Sequence, residues 1–140
     1  NEGFNDRLDL QAYEAKLETL IARLKHLSPD ASIALLGPLD GARKAKPGEP
    51  STCGDWTTPP MLAALRKLQK SVAAKEGAFY FDQSRVMDGA CGITRWAGLN
   101  PPLAWPDHVH LRKDGARRAG VALLTALMPS RASEKKCSPH

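Results

Sequence analysis

Between residues 9 and 27, apolar side chains return at helical spacing: Leu10, Tyr13, Leu17, Leu20, Ile21 and Leu24. Glu14, Lys16, Glu18, Arg23 and Lys25 fill the other face, so this stretch predicts an amphipathic helix. Ser28-Pro29 closes it, because a residue before proline is pushed out of helical geometry. Residues 31–36 are almost continuously apolar, which predicts a short strand covered on both faces, as in a parallel sheet. Gly37-Pro38 stops that strand, and a loop rich in Gly, Pro and Lys runs on to Pro59. A second helix is predicted over Pro60–Lys75. Pro60 sits in its first turn, where a missing N–H costs nothing, and Met61, Leu62, Leu65, Leu68 and Val72 form its stripe. Gly77 supplies the cap and residues 78–82 a second strand. A long loop then carries Met87, Cys91, Trp96 and Trp105 to residues 107–110. Loops of that length in compact domains are usually functional or mobile. A last helix is predicted over residues 114–128, with Leu123, Leu124 and Leu127 facing the core and Pro129 ending it.

Helices alternating with strands predict an α/β fold with a parallel sheet and helices on both faces. Two strands are too few for such a sheet. A pair covered on both sides needs neighbours, and the sequence holds none before Asp9, so the domain is expected to be incomplete on its N-terminal side. Residues 1–128 read as one portion of a single domain. Residues 129–140, with their Ser, Lys and Pro, read as a disordered basic tail.

Composition bounds the class. The chain has 140 residues, 42% of them hydrophobic and 25% charged, an ordinary globular balance. No apolar run approaches the ~18–20 residues that cross a bilayer, so no membrane span is expected. The formal charge is +5, yet the basic residues are scattered, acidic ones are mixed among them, and only 6% of residues are aromatic. That pattern speaks for a solvated basic surface and against nucleic-acid binding. The three cysteines, Cys53, Cys91 and Cys137, form no CxxC pair, which argues against a zinc ribbon or a thioredoxin-type site. Cys53 and Cys91 both lie in glycine-containing loops. Two readings stand open for them: a disulfide closing a long loop, worth ~3–4 kcal/mol in the chain-entropy model, or free thiols.

The sharpest chemical signal is Asp107-His108-Val109-His110. A carboxylate three positions before an imidazole can hold the ring in one tautomer and stabilise the imidazolium formed when His110 takes a proton from a nucleophile. Two bland readings accompany it: a structural Asp107–His110 pair, and a His-x-His metal site at His108 and His110, alternate residues of an extended segment. Near the start, Gly3-Phe4-Asn5-Asp6 taken alone would be a helix entry.

Together, in this order, the two blocks resemble those of the Ser-Gly-Asn-His (SGNH, or GDSL) hydrolases. Asp107-His108-Val109-His110 fits that family's last block, Asp-x-x-His before a C-terminal helix. Gly3-Phe4-Asn5-Asp6 fits its Gly-x-Asn-Asp/Glu block. The helix–strand–helix–strand order between them is also similar, and the stretch from Met87 to Trp96 resembles a loop of envelope members acting on acetylated polysaccharide or peptidoglycan. The resemblance implies a three-layer α/β/α, flavodoxin-like fold and ester hydrolysis through an acyl-enzyme on serine. It implies His110 as base and then acid, Asp107 as its orienting partner, and Asn5 with Gly3 as oxyanion and substrate-binding groups. It implies no cofactor and no metal, a small-molecule or polysaccharide ester as substrate, and a periplasmic or secreted location, for which a Cys53–Cys91 disulfide is the corollary.

The sequence departs from the family at one decisive point. The Gly-Asp-Ser block is absent: Gly54-Asp55 is followed by Trp56, and Ser28, Ser71 and Ser84 lie in no suitable block. Gly-x-Ser-x-Gly is absent too, which removes an α/β-hydrolase elbow. The serine is therefore expected upstream of this fragment, and the fragment alone is expected to be inactive. The alternative is a catalytically silent SGNH-like domain that binds carbohydrate or another partner. His108 carries no role in the resemblance, so its replacement by Ala is expected to be mild.

Overall fold

A computed structural model of the protein describes residues 2–128. The expected tail, with Cys137 and His140, lies outside the described residues. Helix α1 spans Leu10–Leu27, and the Asp9 carboxylate caps it by accepting from Ala12 N at 3.0 Å. Strand β1 spans Ala34–Gly37, three residues later than its apolar run begins. The segment from Gly37 to Pro59 is not a plain loop. It contains a small antiparallel hairpin, β2 (Arg43–Lys44) with β3 (Trp56–Thr57). Helix α2 covers Pro60–Lys75, as the stripe and Pro60 predict. Gly77, at φ 62°, ends it in a left-handed turn: Ala78 N bonds Ala73 O at 2.8 Å and Gly77 N bonds Ala74 O at 3.4 Å. Strand β4 is Phe79–Asp82 and lies parallel to β1, with Leu35 opposite Tyr80 and Leu36 opposite Phe81.

The long loop after β4 also holds more order than its sequence suggests. Residues Gln83–Met87 form a 3-10 turn, begun by the Asp82 side chain, and α3 spans Gly92–Ala97. Helix α4 spans Lys113–Leu127. Gly115 lets its first turn pack directly against the backbone of Leu103, where a Cβ would collide with the Leu103 carbonyl.

Packing corrects three expectations. The strands are not covered on both faces: Leu36 is 39% exposed and Phe79 is exposed as well. Helix α2 packs on both strands and α1 packs on α2. The predicted inward face of α4 is wrong as well. Leu124 is 59% exposed and Leu127 is exposed, whereas Gly115 and Ala119 are the buried positions. Likewise Gln69 is buried on α2, while Met61 and Leu68 are half-buried. A buried apolar cluster is built from the segments that follow the strands. There Ala42, Met87, Ile93, Trp96, Leu103 and Ala104 close on one another, with Leu39, Trp56 and Leu111 packed around them. This cluster lies beside the loop that carries Asp107 and His110.

Candidate active site

The loop begins where β1 ends. Asp40, almost fully buried, accepts from Ile93 N at 3.2 Å and lies 3.6 Å from the Arg66 guanidinium. Arg66 also donates to Pro38 O and Leu39 O, at 3.1 and 2.9 Å. These bonds join the turn after β1 to α2 and α3. Ala42 N then donates to His108 O at 2.9 Å, which ties the same turn to the Asp107–His110 loop.

That loop is a tight reversal. Ala104 and Leu111 form an antiparallel bridge, Arg112 N bonds Leu103 O at 2.9 Å, and Trp105 N bonds His110 O at 2.8 Å. Within it His108 takes a left-handed conformation, φ 57°, uncommon for a residue with a Cβ. Its ring is held on two sides. It stacks on Trp56 with centroids 3.6 Å apart, and Nδ1 lies 3.1 Å from Thr94 Oγ1. Burial, first, and then the nearby Lys44 charge push the His108 imidazole below its ordinary pKa, so it is neutral at pH 7.

Asp107 organises the turn that follows. One carboxylate oxygen accepts from the backbone N–H of Val109 (2.9 Å) and of His110 (3.0 Å); the other lies 2.9 Å from His110 Nδ1. The His110 N–H, its ring and the Val109 N–H together hold the Asp107 carboxyl down to about 2. A charged Asp107 makes Nδ1 the protonated nitrogen of neutral His110, leaving Nε2 as the basic one. The His110 side chain is 70% exposed, so Nε2 is open to a reactant.

Gly3 and Phe4 form one wall, and Val109 and His110 another, of a single cavity of about 310 Å³. Gly3 is buried because Leu62 packs where a Cβ would stand, and Phe4 packs over Gly41 in the same way. Asn5 is exposed and does not itself line the cavity. Its Oδ1 accepts from Arg7 N at 3.1 Å, which leaves the side-chain N–H₂ without a partner among the described residues. Asp6 is bound to Lys46 at 2.5 Å and to Arg43 at 3.3 Å, so it anchors the block to β2. The structure thus brings Gly3 and His110 to one cavity and places Asn5 next in the chain to that wall, after Phe4.

The rings of His108 and His110 are committed to separate partners, and no group of three metal-binding side chains occurs among the described residues. Trp96, from the long loop, is a core residue at 4% exposure. No hydroxyl is hydrogen-bonded to His110 among the described residues, and Ser84 Oγ is occupied with Asp82 at 2.6 Å. Cys53 and Cys91 form a disulfide, Cα–Cα 5.5 Å, which joins the β2–β3 hairpin to the N-terminus of α3. Sequence reasoning missed Thr94 and Trp56, the two supports of His108. Nothing in their spacing, 14 and 52 residues away, signals the contact. It also missed Gln69, which lines the His110 cavity. Gln69 donates to the Tyr13 hydroxyl at 2.7 Å and leaves its own carbonyl unpaired in an otherwise mostly apolar wall.

Solved structures share this architecture. A peptidoglycan O-acetylesterase aligns with a TM-score of 0.79 and 27% identity over 91% of this chain and 34% of its own. A GDSL-like lipase from Parabacteroides merdae aligns at 0.62 and 18% identity, over 86% of this chain and 50% of that one. The esterase domain of the zebrafish ZfL2-1 retrotransposon ORF1 protein aligns at 0.58 and 16% identity, over 86% and 61%. The chain therefore has an α/β fold of the SGNH/GDSL hydrolase kind, and its 27%-identical neighbour relates it to the esterases. It spans about a third of the length of that O-acetylesterase chain. No protein-family model matches the chain, and no curated protein matches it in sequence.

Proposed function

We propose that Asp107 and His110 are the acid–base half of a serine esterase site that acts on O-acetyl groups of a carbohydrate, with peptidoglycan as the leading substrate. One observation carries this reading. The Asp107 carboxylate fixes His110 Nδ1 at 2.9 Å and leaves Nε2 free, on the cavity that Gly3 and Phe4 also line. In the reaction, a serine oxygen attacks the ester carbonyl carbon as Nε2 takes the serine proton. The Asn5 amide and Gly3 N–H donate to the oxyanion, and the imidazolium returns the proton to the departing sugar hydroxyl. Water then repeats the sequence on the acyl-enzyme and releases acetate.

The serine comes from polypeptide N-terminal to residue 1 in the parent protein, and residues 1–128 are the C-terminal portion of one SGNH domain. The share of the O-acetylesterase chain that is covered, 34%, and the exposed strand residues Leu36 and Phe79 support this. A periplasmic or secreted location accords with the Cys53–Cys91 disulfide, since such bonds persist in oxidising compartments.

Acetate release from O-acetylated peptidoglycan tests the reading. The intact parent should turn over and label with a fluorophosphonate, and the 140-residue chain should do neither; normal turnover by the chain alone overturns it. In the parent, Asn5→Ala should cost ~2.7–4 kcal/mol of transition-state stabilisation, read as a fall in kcat/KM; an unchanged value removes Asn5 as a donor. A catalytically silent SGNH-like binding domain is the second reading, favoured by the lack of a hydroxyl bonded to His110 among the described residues. A parent that binds the polymer but resists fluorophosphonate would establish it.

A further inference from the structure

We propose that Trp105, braced by Arg112, is the platform on which a pyranose ring of the substrate stacks beside His110. The proposal rests on the carbohydrate-ester reading above and adds the residue that holds the sugar. Of the three tryptophans, two are spent on the fold. Trp96 lies in the core, and Trp56 carries the His108 ring at 3.6 Å with the Lys44 ammonium 4.6 Å from its centroid. Trp105 remains 48% exposed. An indole face left in water can receive a flat apolar partner.

The backbone says where that partner sits. Trp105 N donates to His110 O at 2.8 Å, beside the isolated Ala104–Leu111 bridge. The two residues are therefore neighbours at the closure of the reversal, and a sugar on the indole lies beside His110. The Arg112 guanidinium lies 4.4 Å from the Trp105 ring centroid and holds the ring by cation–π attraction. That guanidinium has no ion pair among the described residues, and its buried Nε has no acceptor. Arg112 thus covers one face of the indole, and the part of Trp105 that stays exposed is a flat apolar surface with positive charge behind it. A pyranose matches that surface, with an apolar C–H face for the ring and hydroxyls left to water. An acyl chain would need a contiguous apolar patch, and the Trp105 ring instead carries the Arg112 guanidinium.

The test is binding, which does not depend on turnover. Chitotetraose is titrated into the 140-residue chain while the Trp105 indole N–H is followed by NMR. The wild-type chain and His110→Ala should bind alike and shift that signal. Trp105→Ala, with binding read on the Trp56 and backbone signals, should weaken binding about tenfold, and Trp105→Phe should restore part of it. No binding by the wild-type chain, or Trp105→Ala within twofold of it, overturns the platform. Loss of binding in Trp105→Phe with a collapsed spectrum would trace the effect to folding and equally overturn it. In the parent, Trp105→Ala should lower kcat/KM on an O-acetylated sugar by a larger factor than it lowers hydrolysis of p-nitrophenyl acetate, which has no sugar. If that hydrolysis is absent altogether while chitotetraose still binds through Trp105, the esterase reading fails and the platform stands.

Discussion

Asp107 serves two purposes with one carboxylate, and they separate by substitution. One oxygen builds the turn through the N–H groups of Val109 and His110, and the other fixes the His110 ring. Asparagine keeps an oxygen for the turn but turns an amide toward Nδ1, which favours the wrong tautomer. Asp107→Asn in the parent should thus lower kcat by about 10⁴ while the melting temperature stays nearly unchanged, by the logic of triad carboxylates. A mild kcat effect would reduce the pair to a structural role. The carboxyl's low pKa has a pH consequence too. Its folded value is below its unfolded one, so its contribution to stability is complete above about pH 4 and fades as pH falls toward about 2. An NMR titration of the Asp107 carboxyl should show its midpoint near that lower value. His108 works the other face of the loop. Stacked on Trp56, bonded to Thr94 and held neutral by burial, it stabilises the reversal that presents His110. Its depressed pKa means that this support is present above about pH 6.5 and is lost as acid protonates the ring. His108→Ala should destabilise the chain by about 1–3 kcal/mol in urea denaturation, a larger effect than the motif alone suggests.

At the scale of elements, legibility followed the strength of local rules. Helix α2 was readable because its start, stripe and end each have a residue that local physics requires: Pro60, the Leu62–Leu65–Val72 face and Gly77. The Asp107–His110 turn was readable for a similar reason, since its bonds close within three residues. The β2–β3 hairpin and α3 were not. Their strands are two residues long, α3 is six, and α3 begins at Cys91 in a left-handed conformation with no side-chain cap. What holds them is remote: the Asp40 carboxylate on Ile93 N and the Cys53–Cys91 bond across 38 residues. Such elements depend on the cross-link far more than α2 does. Removing it by Cys53→Ser with Cys91→Ser should cost about 3–4 kcal/mol by loop-closure entropy. Amide exchange should quicken first in residues 92–97 and 43–57, with the α2 amides protected until global unfolding. Uniform acceleration across the chain would show that these elements are not a separate unit.

The whole molecule is unevenly finished. A buried apolar cluster that includes Leu103 and Ala104 lies beside the Asp107–His110 loop, whereas apolar side chains of α1 and α4 and of both paired strands face outward: Leu24, Leu27, Leu36, Phe79, Leu124 and Leu127. The sequence read several of these as core because periodicity marks which face is apolar and carries no information about what covers it. Leu124 on α4 is the clearest case, apolar at the right spacing yet 59% exposed. If the parent's additional polypeptide completes the domain, as proposed, these faces are where it packs, and one substitution should have two different costs. In the 140-residue chain, Leu124→Lys exchanges one exposed side chain for another and should change stability by less than about 0.5 kcal/mol. In the parent the same lysine would enter a covered apolar surface and cost about 2–5 kcal/mol, measured by urea denaturation of both proteins side by side. Equal and small effects would mean that α4 keeps this face in water in the parent as well, and that its apolar stripe serves a surface other than the domain core.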